Sequence, residues 1–376
     1  MQKYIVGGAV RDHIMGVPAK DRDWVIVGAT QRDIEKLVAS GYKQVGADFP
    51  VYLNPFTNEE YALARIERKV GDGYLGFECE TQNVTLEQDL LRRDLTMNAI
   101  AYDPVSKLIV DPYNGQQDIK NKMIRHVSDA FAEDPVRVLR VARFAARYSF
   151  QVHDSTKALM EKMAKNGELK HLQRERVMQE MVKCVTEGSS AFTFIRTLRN
   201  CGAWDQIFPT IPAPMNEHLE IIDRATTNCA SSDAMYHFVA SLLYRLPAKK
   251  AEEIQAAVVF PKQYFQFAVS VINSVNVLPK FNELSPTQIV EFFDKLNVHN
   301  KGGETFLKRL NDFVFATGNM TRNLDDYILK MYDLYSSIDI MPVIEKHKEE
   351  GNPLVGRAVR DKLTELRVNK IGAAIE

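Results

Sequence analysis

Asp21 and Asp23 stand two residues apart at the start of a β-prone apolar run that ends at Val27. Because side chains alternate between the two faces of a strand, both carboxylates are predicted to share one face, with Arg22 on the other. Paired carboxylates suit Mg²⁺, which binds through few carboxylates together with substrate phosphates. For an isolated pair, the alternative is a charged strand end that follows the turn at residues 16–20.

Two glycines, Gly7 and Gly8, lie between a short β-prone run and a helix-like segment that begins at Ala9. Such a junction forms an anion site, because free backbone N–H groups and the helix dipole point at it. Arg11 adds a forked donor suited to phosphate oxygens. A phosphate cradle this close upstream of the aspartate pair favours a metal and nucleotide site over a charged strand end.

A long helix is predicted to open at residues 133–135, with Pro135 in its first turn. At 100° per residue, a row of arginines falls within an arc of about 120°, with Asp134 next to it. Such a row is ordinarily a solvated helix face, but these arginines have no acidic partner four positions further on. The row comprises Arg137, Arg140, Arg143 and Arg147, and the predicted buried side comprises Val138, Leu139, Ala142 and Ala145.

Asp134 and Arg137 together suit the reading of a nucleobase. Cytosine and adenine each present an amino donor beside a ring-nitrogen acceptor, which a carboxylate and an arginine can match. Guanine and uracil reverse that order, and each buried polar group left unpaired costs about 1–3 kcal/mol. The pair could therefore select C and A without a nucleic-acid template. The alternative is that Asp134 only caps the helix that begins near Pro135.

Three further segments carry patterns that bear on function. Residues 91–99 close a helix with two arginines followed by an Asp and an Asn, and residues 111–115 have the composition of a turn. Residues 71–76 match the GxGxxG dinucleotide pattern, but a charged run precedes them and no helix follows. We therefore interpret residues 65–83 as a mobile loop hinged by glycines.

The composition of this 376-residue chain is typical of a soluble globular protein, with 45% apolar and 26% charged residues. No apolar run approaches the roughly 18 residues of a membrane span, and Arg11 comes too early for a signal-peptide core. The net charge of −1 does not indicate a nucleic-acid binder, although residues 120–199 hold 16 Lys and Arg against 9 Asp and Glu. Scattered cysteines predict reduced thiols in a cytoplasmic protein, namely Cys79, Cys184, Cys201 and Cys229.

The pattern of apolar residues changes along the chain. Up to about residue 125 strand-like and helical stretches alternate, and from Ala132 onward helical periodicity takes over. Gly202 and the proline-rich residues 209–214 suggest a second boundary, with more helices beyond. The length allows two or three domains at about 150 residues each. We expect an α+β fold, with a mixed sheet and helices first and only helices afterwards.

Seven motifs, in this order, cover residues 1–210 and resemble one family. They are GGAVRD, DRDW, ARIERKVGDGYLGF, LRRDLTMNA, DPYNG, EDPVRVLRVARFAARY and, more weakly, QRERVMQE. The family is that of bacterial tRNA CCA-adding enzymes (CCA tRNA nucleotidyltransferases), whose class includes bacterial poly(A) polymerases. The resemblance implies a nucleotidyltransferase head of the DNA polymerase β type at residues 1–127. It also implies a helical neck for base recognition at 128–208 and a helical body and tail for tRNA binding at 209–376.

The resemblance also implies roles for ten residues. Asp21 and Asp23 are similar to the catalytic carboxylates that bind Mg²⁺, and Gly8 and Arg11 to contacts of the triphosphate. The segment at residues 65–77 resembles a loop needed for the final A, which favours full CCA addition. Carried over in the same way, Arg93, Arg140 and Arg143 are nucleotide contacts, Asp94 is a ribose contact, and Asp134 and Arg137 are the base-reading pair.

The implied activity is template-free addition of C, C and A to the 3′ end of tRNA from CTP and ATP. It proceeds by two-metal nucleotidyl transfer that releases pyrophosphate. The implied cofactor is Mg²⁺ and the partners are tRNA, ATP and CTP, with no membrane, for a cytoplasmic monomer or weak homodimer. RNA would bind to the basic neck and to a tail that carries Arg357, Arg360, Lys362, Arg367 and Lys370.

Two alternatives remain open: a poly(A) polymerase of the same superfamily, and a catalytically silent relative that only binds tRNA. The C-terminal half departs from family members that append a metal-dependent phosphohydrolase, because it lacks a set of His and Asp ligands. The one His-Asp pair, His153-Asp154, lies in the predicted neck and is interpreted as the start of a helix. The lone histidines, among them His218 and His237, are interpreted as structural.

Overall fold

The computed structural model describes residues 1–19, 21–46, 51–69, 77–187 and 189–375. These residues form two compact units, Met1–Ala213 and Pro214–Glu376. The first unit holds a mixed sheet followed by helices, and the described part of the second unit is helical. The predicted α+β fold is therefore confirmed.

Eleven strands are described, seven of which form one sheet in the order β3-β4-β5-β2-β1-β8-β9. Two smaller ladders join β6 to β7 and β10 to β11. The strands are β1 Gln2–Val6, β2 Asp23–Val27, β3 Lys43–Val45, β4 Val51–Leu53, β5 Glu60–Leu63, β6 Ile66–Lys69, β7 Phe77–Glu80, β8 Ala101–Asp103, β9 Leu108–Val110, β10 Met123–Ile124 and β11 Gln151–Val152.

The helices of the first unit cover the sheet and then continue beyond it. They are α1 Gly8–Ile14, α2 Gln31–Ala39, α3 Leu86–Leu91, α4 Gly115–Lys120, α5 Val136–Tyr148, α6 Asp154–Lys165, α7 Arg174–Thr186, α8 Ala191–Asn200 and α9 Ala203–Ile207. On α5, the four apolar residues predicted to be buried are at most 1% exposed. That prediction is confirmed.

Strand β2 lies at the centre of the large sheet, antiparallel to β1 and parallel to β5. Its successive side chains enter two different core clusters. Val25 packs with Val6 and with Leu90 of α3, whereas Ile26 packs in the cluster that contains Leu37 of α2. Because alternate residues share a face, Asp23 points to the side covered by α3.

Two predictions about local structure need correction. Strand β2 begins at Asp23, so Asp21 precedes the strand instead of lying in it. The described ends of residues 65–83 are not a loop, because β6 pairs antiparallel with β7 and places Ile66 opposite Glu80. The GxGxxG segment at residues 71–76 lies outside the described residues.

The second unit consists of nine described helices around an aromatic core. Phe281, Phe293 and Phe313 are fully buried in it. The helices are α10 Asn216–Thr227, α11 Ala234–Leu243, α12 Ala248–Val258, α13 Lys262–Ser274, α14 Pro286–Leu296, α15 Glu304–Ala316, α16 Arg322–Ser336, α17 Met341–Glu349 and α18 Arg357–Ile375. None of the helices in the described ranges combines the length and apolar character that crossing a membrane requires.

Histidines of the second unit bond to the backbone. The Nδ1 atom of buried His237 lies 2.7 Å from the Ala225 carbonyl oxygen, and its Nε2 atom lies 3.0 Å from that of Arg309. His218 Nε2 lies 2.6 Å from the Ser241 carbonyl oxygen. These contacts confirm the structural interpretation of both rings. In the first unit, the His153 ring accepts from the backbone N–H of Ser155 and caps α6, as predicted.

Candidate active site

All ten residues predicted to form the site line one cleft of about 720 Å³ in the first unit. The sheet half of the unit contributes one group of residues and helix α5 contributes the other. The cleft is also lined by residues that the sequence did not single out, among them Asp12, Asn98, Phe144, Arg176, Lys183 and Glu187. The ten are Gly8, Arg11, Asp21, Asp23, Arg93, Asp94, Asp134, Arg137, Arg140 and Arg143.

The aspartate pair lines the cleft. Loss of hydration raises the pKa of Asp23, the Arg93 guanidinium opposes that rise, and the Asp21 carboxylate adds to it. Two carboxylates that repel each other beside a phosphate cradle are the donor set that Mg²⁺ uses together with substrate phosphates, so these residues fit that ion. Among the described residues, no group of three or more His, Cys, Asp or Glu side chains could hold a metal.

The glycine junction lies next to the carboxylates, because Val6 pairs with Asp23 across the ladder. Gly7 has a φ of 71° and donates its N–H to the Ile100 carbonyl oxygen at 3.2 Å. A Cβ atom at Gly7 would lie 3.1 Å from Nη1 of Arg93. Both the positive φ and this close approach favour glycine, and α1 then begins at Gly8.

Arg11 is 5% exposed and held on several sides. Its Nε and Nη2 atoms donate to Oδ1 of Asp12 at 2.8 and 2.7 Å, and Nη1 donates to Oδ1 of Asn98 at 2.7 Å. Its guanidinium also lies 5.1 Å from the ring centroid of Tyr148. These partners fix a positive charge in the cleft wall at the first turn of α1.

Arg93 is less completely bonded than Arg11. Its Nη2 atom pairs with Oδ2 of buried Asp89 at 3.3 Å, while its buried Nε atom has no hydrogen-bond partner in the described part of the chain. Burial lowers the pKa of Arg93, and the Asp89 carboxylate opposes that effect. A buried donor without an acceptor is costly, so a phosphate or sugar oxygen at this position would stabilise the site.

Asp94 and Arg140, both predicted to contact the nucleotide, bond to each other. Arg140 Nε donates to Oδ2 of Asp94 at 2.7 Å, and Oδ1 accepts from Asn98 Nδ2 at 3.1 Å and from the Leu95 N–H at 2.8 Å. Burial alone would raise the pKa of Asp94, but Arg140 and Asn98 hold it at about 2. Asp94 therefore carries a permanent charge that links the sheet half to α5.

The arginine row of α5 is paired through helix α7. Nε of Arg143, which is 4% exposed, donates to Oε2 of Glu180 at 2.6 Å. Arg147 Nη1 donates to Oε2 of Glu187 at 3.0 Å. The lack of acidic residues four positions further on is therefore compensated by a neighbouring helix.

The predicted base-reading pair also lines the cleft, around the start of α5. Arg176 of α7 donates Nη1 to Oδ1 of Asp134 at 3.0 Å and Nη2 to Oδ2 at 2.8 Å. The Val136 N–H also donates to Oδ1, at 3.1 Å. Arg137 donates to the carbonyl oxygens of Ala130 and Arg92, at 2.8 and 2.7 Å. Asp134 thus lines the cleft and also bonds to the first turn of α5.

Sequence analysis missed Arg176, although it lies within the weakest of the seven motifs. Arg176 lies in the first turn of α7, where no local pattern indicates a partner 42 residues earlier. The only available signal was its place in an excess of basic residues, which does not single out one arginine.

Comparison with known proteins bears on the class of this chain. Residues 3–125 match the family described as "Poly A polymerase head domain". Residues 149–213 match the family described as "Probable RNA and SrmB- binding site of polymerase A". The fold and the site therefore define a nucleotidyltransferase with a polymerase head.

Two curated relatives are both named "Multifunctional CCA protein". The protein from Vibrio vulnificus (strain YJ016) is 38% identical over 420 residues, covering 100% of this chain and 99% of the relative. The protein from Pseudoalteromonas atlantica is 55% identical over 231 residues, covering 59% of this chain and 56% of the relative, so that match spans about half of its length. The chain belongs to the family of CCA-adding enzymes, the CCA tRNA nucleotidyltransferases.

Solved structures show the same fold. An apo form of a CCA-adding enzyme covers 99% of this chain and 88% of its own, with a TM-score of 0.74 and 21% identity. Similar structures of CCA-adding enzymes are described as complexes with CTP and with ATP. The Thermotoga maritima enzyme, described as a complex with tRNA_CCA, has a TM-score of 0.69 and 19% identity over 99% of this chain and 87% of its own.

Proposed function

We propose that this chain adds C, C and A to the 3′ end of tRNA from CTP and ATP, without a nucleic-acid template and with release of pyrophosphate. The observation that carries the proposal is the single cleft that joins an aspartate pair, a glycine–helix phosphate cradle and a carboxylate suited to base reading. The names of the relatives, and the CTP, ATP and tRNA complexes of proteins with this fold, support it.

Asp21 and Asp23 would hold Mg²⁺ in the cleft, beside the glycine junction. In the two-metal arrangement, Mg²⁺ held by these residues would supply positive charge that makes a hydroxyl a better nucleophile and offsets charge on the leaving phosphates. The first turn of α1 and Arg11 bind and orient the triphosphate, because they present N–H donors whose positions the protein already fixes. The unpartnered Nε of Arg93 supplies a further donor at the same wall.

Asp134 selects the base through the one hydrogen-bond acceptor position that is not used by its contacts within the protein. A carboxylate offers about four acceptor positions, and Arg176 and the Val136 N–H take three of them. The remaining position suits one amino group, which cytosine and adenine carry and uracil lacks. Guanine and uracil turn a carbonyl oxygen toward that place, so they face a like charge. Arg137, held by two backbone carbonyls, is the matching donor to the ring nitrogen.

Helix α18 contributes to tRNA binding through its exposed cations. Arg357 and Arg360 are exposed on this helix. By contrast, Arg367 donates to Oδ1 of Asp294 at 3.3 Å and lies 3.8 Å from the ring centroid of Tyr335. We therefore assign RNA contacts to Arg357 and Arg360 and a structural role to Arg367. Binding through phosphates should weaken with salt.

Incorporation assays on tRNA that lacks the CCA end test the proposal. CTP alone should extend the RNA by C and C, and CTP with ATP should complete CCA and then stop, whereas UTP and GTP should give no product. The family name of the head favours one rival, a poly(A) polymerase, which would add runs of A from ATP alone. A silent relative that only binds tRNA would give no extension. Either of these outcomes would refute the proposal.

The same proposal includes a division of the chain into functional domains. A head at residues 1–127 would carry catalysis, a neck at 128–208 would select the base, and a body and tail at 209–376 would bind tRNA. We further propose that the enzyme acts in the cytoplasm as a monomer or weak homodimer.

A further inference from the structure

A second cavity lies in the first unit, on the side of α5 that faces away from the candidate active site. Its volume is about 540 Å³, within the range of about 300–1,000 Å³ that ligand sites occupy. Ala145 of α5 lines this cavity, whereas Arg143 and Arg147 line the active-site cleft. Since 100° separates successive residues, these side chains leave α5 in nearly opposite directions. Among the described residues, the two cavities share no lining residue.

The floor of this second cavity is apolar and buried. It is formed by side chains of α5, β11, α6 and the end of α8, none of which is more than 9% exposed. An apolar, buried lining with one aromatic ring suits the face of a nucleobase, because every base has a face that can stack on such a surface. The floor residues are Ala145, Phe150, Val152, Met160 and Cys201.

The rim of the cavity is polar, with two cations. Arg196 and Asn200 of α8 are exposed, and Lys157 of α6, also exposed, lines the same cavity. No carboxylate pairs with Arg196 in the described ranges, and its guanidinium lies 5.0 Å from the ring centroid of Phe192. Lys157 donates to Asp154 at 2.9 Å, but both side chains are exposed, so this pair stabilises little and a phosphate could replace it.

The surroundings extend this basic rim. Lys122, which is exposed, accepts a hydrogen bond at its carbonyl from the N–H of Gln151 at 2.9 Å, and Gln151 lines the cavity. Glu161 and Asn200 supply an acceptor carboxylate and an amide at the rim. Cations that can follow a backbone, around an apolar floor with polar edges, are the combination by which proteins bind unpaired RNA.

We propose that this cavity binds one unpaired nucleotide of the RNA substrate, with its base on the floor and its phosphates at Arg196 and Lys157. The identification of that RNA as tRNA rests on the proposed function, but the site itself does not. A protein side chain could also fill the floor, yet it would make no use of the two cations. The bound nucleotide would anchor the RNA at a point separate from the reacting 3′ end.

Two variants separate the charge from the cavity. Arg196→Ala removes a phosphate contact, and Asn200→Trp fills the cavity from an exposed position while keeping both cations. Lys162→Ala is the matched control, because Lys162 is exposed on α6 but does not line the cavity. Equilibrium binding of tRNA lacking CCA is measured by fluorescence anisotropy over a range of salt, without nucleoside triphosphates.

We expect both cavity variants to raise the Kd for tRNA about tenfold, in line with one lost base or phosphate contact. Arg196→Ala should also reduce the salt slope by about 0.7, whereas Asn200→Trp should leave it unchanged. Lys162→Ala should bind like the wild type. Because no chemistry is measured, failure of this proposal is distinct from failure of CCA addition, which the wild-type incorporation assay decides.

Three outcomes would overturn the proposal. A tRNA Kd within twofold of the wild-type value for both cavity variants would exclude RNA and leave the cavity to a protein partner. An equal loss in Lys162→Ala would reduce the effect to general surface charge. Saturable binding of AMP alone that Asn200→Trp abolishes, with tRNA binding unchanged, would assign the cavity to a free nucleotide. Melting curves for each variant confirm that the fold is intact.

Discussion

Arg176 donates hydrogen bonds to both carboxylate oxygens of Asp134, at 3.0 and 2.8 Å, although the two residues are 42 positions apart in the sequence. A two-point contact between a planar guanidinium and a carboxylate fixes the plane of the carboxylate as well as its position. The carboxylate of Asp134, which is proposed to read the base, is therefore oriented by a residue of α7, although Asp134 itself precedes α5. Both helices would then contribute to nucleotide selection.

Arg176→Ala should lower the preference for CTP over UTP by about one to two decades. Without Arg176 the Asp134 carboxylate is no longer held in one orientation, so its contact with the base, worth roughly 1–3 kcal/mol, is lost. Single-nucleotide incorporation with each NTP measures this ratio. Arg176→Lys should give an intermediate value, because an ammonium makes only a one-point contact. Arg174→Ala, an exposed arginine on the same helix, is the control. A fall in melting temperature with unchanged C over U preference would show that Arg176 only supports the fold.

Asp134→Asn distinguishes base reading from helix capping. The amide oxygen of Asn can still accept from the Val136 N–H, so the helix should lose less than the about 1 kcal/mol expected from loss of a cap. The amide N–H₂, however, would oppose the amino group of C and A. Incorporation of CTP and ATP should therefore fall relative to UTP and GTP. Unchanged preference in both Asp134→Asn and Asp134→Ala would establish the capping interpretation.

Asp23→Asn and Asp21→Asn should each reduce incorporation to below about 10% of the wild type, because a neutral amide is a poor ligand for the ion that assists transfer. The tRNA Kd and the melting curve should stay close to wild type. Glu35→Gln, which removes a carboxylate from the exposed face of α2, is the matched control. Near-normal rates in either aspartate variant would rule out this pair as the metal site.

The second unit should lose stability as the pH falls below about 6.5, the usual pKa of an unfolded histidine. Burial lowers the pKa of His237 and His218, and hydrogen bonds to carbonyl oxygens only partly oppose this. The unfolded chain therefore binds more protons than the folded chain just below that pH, and protonation favours unfolding. Denaturant melts between about pH 7.5 and about pH 5.5 should show the loss, and His237→Gln should reduce its slope. A loss equal in wild type and variant would assign it to other groups.

Sequence alone predicted the parts of the site whose geometry is local. The positive φ of Gly7 and the strand face on which Asp23 lies are both set by neighbours within a few residues. Such local patterns can be recognised in the sequence. The apolar side of α5 was equally legible from its period. The ten site residues, assigned through the family resemblance, all line one cleft.

The features of the site that the sequence did not predict are contacts between residues that are distant in the chain. The pairing of Asp94 with Arg140 spans 46 residues, and that of Arg143 with Glu180 spans 37 residues. Nothing near Arg176 indicates its partner. Strands β6 and β7 also resembled parts of a loop, because two strands of four residues each carry too little apolar alternation to reveal a ladder.

The ion pair between Asp94 and Arg140 has a consequence for how the chain folds during synthesis. Asp94 is 7% exposed and stays ionised, so the sheet half contains a buried charge whose partner is translated 46 residues later. Until α5 leaves the ribosome, that half must either keep Asp94 in water or bear an uncompensated charge, at a cost of about 3–5 kcal/mol. The sheet half therefore cannot bury Asp94 as an ion pair until α5 has been synthesised. A protein that ends at residue 127 would lack Arg140, the partner that allows Asp94 to be buried.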